Sequence, residues 1–451
     1  MPDPRHIALG GFLIAGATTH SHASWRHPRT SPGFLTADYY KRVGQTLERG
    51  KFDFLFLADN FAAPRRYGNS VDEGLRRGTQ SAASIDPRIV LGLLAGATEH
   101  LGLVATTSVT YHTPFDIARV YASLDHLSGG RVGWNVVTSF AQAEAQNHGF
   151  TDHVEHDRRY DRAEEFLEVA YGLWDSWDEG ALVQDKTGNV FADPAKVHEL
   201  AHEGEFFSAR GPLPIPRSPQ RRPVIFQAGS SSRGRDYAAR WAEAIFIIDP
   251  TPEGRKAYYD DLKSRASNFG RNPDDLKILP AFEPFVGETA SIAEERHQVH
   301  NDLADPVSGL ITLSNHTDYD FSQHALDEPI GQIEVPGIQG LAELVGRLSA
   351  SQGLTLRDIG QAYAEGVLLP HFVGTGADIA DQIEASVDNG EADGWMVSPA
   401  YAPGAFEEFV DLVIPELQRR GRLRTEYEGR TLRDNLGLGA PKDLPAVALV
   451  G

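Results

Sequence analysis

The 451-residue chain contains no cysteine, which excludes disulfides, thiolate-bound metals and cysteine nucleophiles together. Methionine is scarce as well, with two in the chain, so few sulfurs are open to oxidation. Composition drift is preferred over adaptation to oxygen chemistry as the account of that, since oxidation susceptibility is site-specific. Positive charge is the minority: 42 Lys and Arg against 63 Asp and Glu give a formal net charge of −21. Such a balance disfavours nucleic acid and anionic membrane surfaces as partners, yet permits an anionic small ligand at a site of locally opposite sign. No run of roughly 18 apolar residues is present, the length a membrane span requires. The start, Met1 to His6, lacks the basic and apolar regions of a secretory signal. These absences predict a soluble, cytoplasmic protein. No GxGxxG follows a strand, which removes the main cue for a dinucleotide-binding half. No GxSxG elbow supports covalent serine hydrolysis, and no carboxylate pair stands out for glycoside hydrolysis.

What is present is a regular alternation. A hydrophobic fraction of 41% with 23% charged residues suits a large core in a water-facing protein. Apolar runs predict strands at 7–14, 52–58, 101–106, 132–137, 223–229, 244–248, 276–286 and 395–397. Helical patterns predict helices from Thr36 to Gly50, from Asp86-Pro87 to His100, and from Thr113-Pro114, whose buried face reads Ile117, Val120, Tyr121, Leu124 and Leu127. Further helices carry Tyr160, Ala163, Phe166 and Trp174 on one side, then run over 230–243, 377–389 and 405–420. The pattern breaks over 141–156 and in two long insertions, 176–222 and 305–365, the second holding a helix over 337–348. Eight strands alternating with helices predict an α/β fold, a (β/α)8 TIM barrel, as one domain over 1–427. The tail, 428–451, reads as poorly packed or wrapped around a neighbouring subunit.

In such a barrel ligands gather at the carboxyl ends of the strands. The run Ser128 to Ser139 is a helix stop, a buried strand and a polar strand mouth in succession, which directs attention to Asn135, Thr138 and Ser139. Asp59 and Asn60 end the second strand and Thr106 to Ser108 the third. The turn Gln227-Ala228-Gly229-Ser230-Ser231-Ser232-Arg233-Gly234 places serines where a helix begins. Unpaired amides and the helix dipole there favour phosphate, with plain serine capping as the simpler account. His156 and Tyr160, four apart, share a helix face, although Tyr160 also fits core packing. His20, His22 and His27 follow the first strand. An HxH pair there could begin a metal site, but the other strand ends lack the histidines and aspartate such a site needs, so no metal is expected. A substrate-pocket role is preferred for these histidines over loop histidines hydrogen-bonded at a rim.

The motifs Leu127 to Ser139, Glu155 to Phe166, Leu173 to Trp177 and Gln227 to Ser231 together resemble those of the bacterial luciferase-like flavin monooxygenases. The similarity is to the nitrilotriacetate and dibenzothiophene-sulfone branch and spans almost the whole chain. It implies a barrel binding reduced FMN supplied by a separate NAD(P)H:FMN reductase, with O2 as co-substrate. A flavin peroxide would insert one oxygen atom into an apolar, aromatic or heteroaromatic, sulfone-like small molecule. Aminopolycarboxylates, alkanes and halogenated aromatics are alternative substrates; a deazaflavin-dependent reductase and a non-catalytic flavin-binding barrel are alternative functions. The resemblance assigns cofactor contacts to Asp59, Thr106, Asn135, His156, Tyr160, Ser230 and Ser231. It assigns the cavity lining to Phe56, Phe246 and Ile248, and places His20 and His316 near the reacting atoms. It further implies a homodimer or homotetramer, and insertions that close over the site.

Overall fold

The first strand, Ala8–Ile14 (β1), is buried at every position, the pattern of a parallel strand covered on both faces. The computed structural model describes residues 6–151, 154–330, 333 and 353–441. After β1 come helix Ala37–Arg49 (α1), strand Phe54–Ala58 (β2), helices Asp72–Arg77 (α2) and Pro87–Ala95 (α3), strand Gly102–Ser108 (β3), helix Pro114–Ser128 (α4) and strand Val132–Val137 (β4). A short helix Gln142–Asn147 (α5) and the long helix His156–Trp174 (α6) follow. Two hairpins, Leu182–Asp185 (β5) with Val190–Ala192 (β6) and His202–Glu203 (β7) with Ser208–Ala209 (β8), precede Val224–Gln227 (β9). The chain continues through Ser232–Trp241 (α7), Ala244–Ile247 (β10), Pro252–Asn268 (α8), Lys277–Val286 (β11), Ala290–Leu303 (α9) and Pro306–Thr317 (α10). Leu356–Gly366 (α11), His371–Gly374 (β12), Gly376–Asp388 (α12), Gly394–Val397 (β13), Gly404–Leu412 (α13), Ile414–Arg419 (α14) and Leu432–Asn435 (α15) complete it.

Eight strands close into a parallel ring in the order β1-β2-β3-β4-β9-β10-β11-β13. Closure is made where Ala8 opposes Gly394 on one side of β1 and Gly10 opposes Phe54 on the other. The expected TIM barrel is therefore present. One strand was not anticipated: β12 pairs with the mouth end of β11, Glu283 opposing His371. Four residues ending in glycine carry too little periodicity to announce it.

Alternate side chains fill the barrel. Phe54, Val224, Phe226, Ala244 and Met396 pack with Phe12, Phe56 and Val104 in one buried cluster. The outer faces meet the helices, as where Trp134 lies against Tyr121 and Phe166. On α4, Ile117, Tyr121 and Leu124 are buried, but Leu127 is 72% exposed, because the helix turns it off the face just before Gly129. Gly129 and Gly130 then take φ of 72° and 93°, left-handed values that stop a helix at glycine.

Several expectations are corrected. Helix α3 ends at Ala95 rather than His100, with Gly96 as its C-cap. The closing helix is two helices, α13 and α14, divided at Val413 ahead of Pro415, where a proline lacks the N–H to continue the ladder. The tail is not loosely packed as far as the description extends. Leu432, Leu436 and Leu438 join the barrel's interior cluster, Leu432 N donates to Gly130 O at 3.0 Å, and Arg433 pairs with Glu243. The segment thus plugs the amino ends of the strands and extends the packed unit beyond 427.

Insertion 176–222 packs on the outer side of α6, with Leu200 and Leu213 in the same core cluster as Leu173 and Phe207 edge-on to Phe166 at 5.4 Å. In the second insertion α10 crosses α11 at Gly309 and Gly360, where an added Cβ on Gly309 would lie 1.9 Å from Gly360 O. The expected helix over 337–348 lies outside the described residues.

Candidate active site

A cavity of about 460 Å³ opens at the carboxyl ends of the strands. One end is built where β9 turns into α7. Ser231 is the N-cap, and its Oγ accepts from Gly234 N at 3.1 Å; the first amides of a helix otherwise lack internal partners and favour an anion. The turn is tight: a Cβ on Gly229 would lie 2.8 Å from the Gly234 backbone. His156 and Tyr160, at the start of α6, close this end. His156 Nε2 is 3.4 Å from Ser231 Oγ, and its Nδ1 is 2.8 Å from Asp157 Oδ1. The Tyr160 hydroxyl is hydrogen-bonded by Ser231 and Thr138, while burial raises its pKa. Arg159, also on the cavity, donates to Ser139 O at 2.8 Å, and burial lowers its pKa. Ser139 itself holds a φ of 53°, a strained value for a non-glycine residue of the kind that clusters at functional sites.

The cavity wall also carries acidic groups. Asp59, whose Oδ1 accepts from Asn60 N at 2.9 Å, is pushed up to about 7, chiefly by burial, with Asp86 and Glu144 adding to the effect. Glu144 accepts from Phe61 N at 3.0 Å and is likewise raised by burial. His316, Thr317 and Asp318 at the end of α10 complete the wall. His316 is half-buried on the cavity, and burial holds it down at about 4.

Beneath the cavity floor lies the first interior layer. Asn135 Nδ2 donates to Thr106 Oγ1 at 2.9 Å, and Asn135 Oδ1 is buried without a hydrogen-bond partner. Phe12, Phe56 and Phe246 stack with centroids 5.3–6.1 Å apart. His20 lies on Phe12 at 4.0 Å, its Nδ1 2.8 Å from Ser398 Oγ; burial first, then His316, lowers its pKa to about 3. Ile248 packs against both the barrel interior and the α10–α11 cluster.

The structure therefore brings Asp59, His156, Tyr160, Ser230, Ser231 and His316 onto one cavity. Thr106, Asn135, His20, Phe56, Phe246 and Ile248 stand in the aromatic and polar layer around its base and do not line it directly. His22 and His27 are scaffold rather than pocket residues, against expectation: His22 Nε2 is 2.6 Å from Thr312 Oγ1, and His27 stacks on Tyr401 at 4.1 Å. Arg159 and Glu144 were not anticipated. Arg159 stands next to Tyr160 within the 155–166 motif, which was the available signal; Glu144 comes from a polar stretch that carried none. Among the described residues no group of three or more His, Asp or Glu side chains could hold a metal ion, and no helix is long and apolar enough to cross a membrane.

A closed parallel barrel with a serine-capped helix start at its mouth defines the (β/α)8 class, in which ligands gather at the carboxyl ends of the strands. The chain belongs to the luciferase-like monooxygenase family, whose model matches residues 14–393, and is an oxidoreductase of that family. It is 48% identical to dibenzothiophene-sulfone monooxygenase from Rhodococcus erythropolis, over 98% of this chain and 99% of that one. It is 43% identical to nitrilotriacetate monooxygenase component A from Aminobacter aminovorans, over 96% and 97%. The crystal structure of a riboflavin lyase with modified FMN and its substrate riboflavin superposes with a TM-score of 0.88 at 33% identity, covering 97% of each chain.

Proposed function

We propose that the protein binds reduced FMN delivered by a separate NAD(P)H-dependent reductase and inserts one oxygen atom from O2 into a neutral, apolar aromatic or heteroaromatic molecule of the sulfone type. The observation that supports this is a cavity with Ser230 and Ser231 at the start of α7 beside His156 and Tyr160, next to an interior aromatic layer of Phe12, Phe56 and Phe246 with His20 that does not line it directly.

The residues fit the cofactor. The start of α7 suits its phosphate, and the unpartnered Asn135 Oδ1 is a buried acceptor suited to the N–H edge of a flavin ring, with Thr106 fixing the amide's orientation. When bound, reduced FMN supplies the electrons that activate O2. The protein's own part is placement and exclusion of water. Helices α10 and α11 cover the mouth with an apolar cluster that reaches Ile248, keeping the reacting region dry. His20 and His316, held at about 3 and about 4 by burial, remain neutral imidazoles at ordinary pH. They act as hydrogen-bonding groups rather than acids, and with Nδ1 of His20 paired to Ser398 its Nε2 is left for a substrate oxygen.

Charge favours the apolar substrate over an aminopolycarboxylate. Among the described lining residues Arg159 is the one arginine, against Asp59, Glu144 and Asp318. A single arginine offers a molecule with several carboxylates too few cationic partners there, and burial that disfavours the charged forms of Asp59 and Glu144 disfavours further carboxylates as well.

Incubation with FMN, a flavin reductase, NADH and 18O2 tests the proposal. One 18O atom is expected in the product of an aromatic sulfone, with little turnover of a polycarboxylate. Absence of labelled product from sulfones, alkanes, aminocarboxylates and halogenated aromatics alike would overturn it.

A further inference from the structure

A second cavity, of about 430 Å³, lies between the segment that follows β1 and the stretch 75–83 that begins at the end of α2. Its size falls in the range of roughly 300–1,000 Å³ typical of small-molecule sites. Trp25, Phe34, Tyr39 and Leu75 give it ring and aliphatic carbon. Among the hydroxyls around it, Thr18 donates to Gly78 O at 2.5 Å, Thr19 to Pro399 O at 2.9 Å and Ser24 to Ala17 O at 3.2 Å. Trp25 Nε1 donates to Arg77 O at 2.7 Å. These four groups ask no hydrogen bond of a guest, which leaves the hydroxyls of Ser31, Tyr39 and Ser81 as polar contacts within a lining that is otherwise largely carbon. Arg76 is the one charged residue among the described lining, and it stands 3.7 Å from Glu73 with its side chain 74% exposed. The cavity therefore suits a neutral apolar molecule, whose transfer from water is favourable in proportion to the apolar area covered.

A gap of about 20 Å³ lies between this space and the first cavity, about the room of one water molecule. Asn60 and His316 line both the gap and the first cavity, and Ser81 lines both the gap and the second. Gln80 holds the gap narrow by donating to Thr19 O at 2.9 Å. Ser81 keeps a φ of 62°, a left-handed conformation that persists for a non-glycine residue only where its surroundings impose it. Release of one side-chain hydrogen bond at Gln80 would widen the gap.

We propose that the second cavity binds a neutral apolar small molecule, aromatic or hydrocarbon, and that the gap at Gln80 and Ser81 is its route to the barrel mouth. The binding half stands on the cavity itself; the route half rests on the first cavity being the flavin and substrate site.

The test uses the full chain saturated with FMN and titrated with 2-fluorobiphenyl, followed by 19F NMR, beside two variants. Ala82→Phe fills the cavity from within, and Leu75→Trp, at a half-exposed rim position, narrows its opening should the first variant fold poorly. At least a tenfold loss of probe affinity is expected in either variant, with FMN affinity unchanged. With an aromatic sulfone as substrate, KM should rise at least fivefold while kcat stays within twofold. Wild-type probe affinity in both variants would overturn the site. Lost probe affinity with an unchanged KM would overturn the route. Failure of the wild type to bind FMN or to turn over the sulfone would count against the flavin reading alone, since probe binding is measurable without either.

Discussion

Ser231 performs two tasks with one oxygen, and substitution separates them. Its Oγ caps α7 through Gly234 N and stands beside His156 Nε2. Loss of a serine cap costs about 1 kcal/mol of stability, whereas loss of a charge-assisted contact to phosphate affects ligand affinity. Ser231→Ala is therefore expected to lower both the melting temperature and reduced-FMN affinity. His156→Ala should lower affinity while leaving stability within about 0.5 kcal/mol, the range of ordinary surface changes. Together they should weaken reduced FMN by at least tenfold in anaerobic fluorescence titration; wild-type affinity in the double variant would remove the phosphate assignment. The same residues show what the sequence could reveal of the site. Ser231, His156 and Asp59 were legible because each falls at a strand mouth or helix start, where a polar group has few structural alternatives. Glu144 was not, because its role depends on α5 folding back to bring its carboxylate to Phe61 N, a contact between residues far apart in sequence. His22 and His27 misled for the opposite reason: the local motif was right for a pocket, but tertiary packing turned both rings into the wall.

Helix α15 shows at the level of the element what the tail contributes. Thr431 and Asp434 form a capping box, so four residues hold their shape well enough to set Leu432 and Leu436 into the open base of the barrel. A barrel is closed at its sides by hydrogen bonds, but its ends need side chains to exclude water. Leu432 is fully buried, and a Cβ on Gly102 would lie 2.5 Å from its Cδ1, a measure of how closely it fits. Leu432→Ala should cost about 2–5 kcal/mol, the usual range for a core leucine, seen as a lower urea midpoint with an unchanged slope. FMN affinity should not move, because the plug and the cavity occupy opposite ends of the strands; a variant of wild-type stability would mean that the plug is dispensable. The packing of the described part of this tail, 428–441, was not readable from sequence, since its three spaced leucines lack the repeat that marks a helix face. The eight barrel strands were readable because each is a short apolar run between turn signals. By contrast β12, and the break between α13 and α14, depend on neighbours and on a single proline.

Across the whole molecule, buried titratable groups of two kinds oppose each other over the same pH range. His20, His22, His300, His316 and His371 are lowered to between about 3 and about 4, each chiefly by burial. Below their ordinary value of 6.5 the unfolded chain takes up protons that the folded chain refuses, so these groups make stability fall as pH falls. Glu283 has the reverse sign. It is fully buried, both its oxygens lack hydrogen-bond partners, and burial raises its pKa well above 4.5, with Glu365 adding to the effect. The folded chain retains its proton while the unfolded chain releases it, so stability falls as pH rises from about 4.5 towards the folded value. His300 and His371 each stand 3.8 Å from Glu283 Oε2, but held down at about 4 and about 3 they offer no positive charge to pair with it. Glu283→Gln removes the proton equilibrium while keeping shape and polarity. The variant should match the wild type near pH 4.5 and become the more stable of the two as pH rises to 7.5, with a difference that grows by at most about 1.4 kcal/mol per pH unit. Denaturant midpoints at three pH values across that range measure it. A variant less stable than the wild type at every pH would mean instead that Glu283 is ionised and held by charged histidines, and the neutral-acid reading of this cluster would fall.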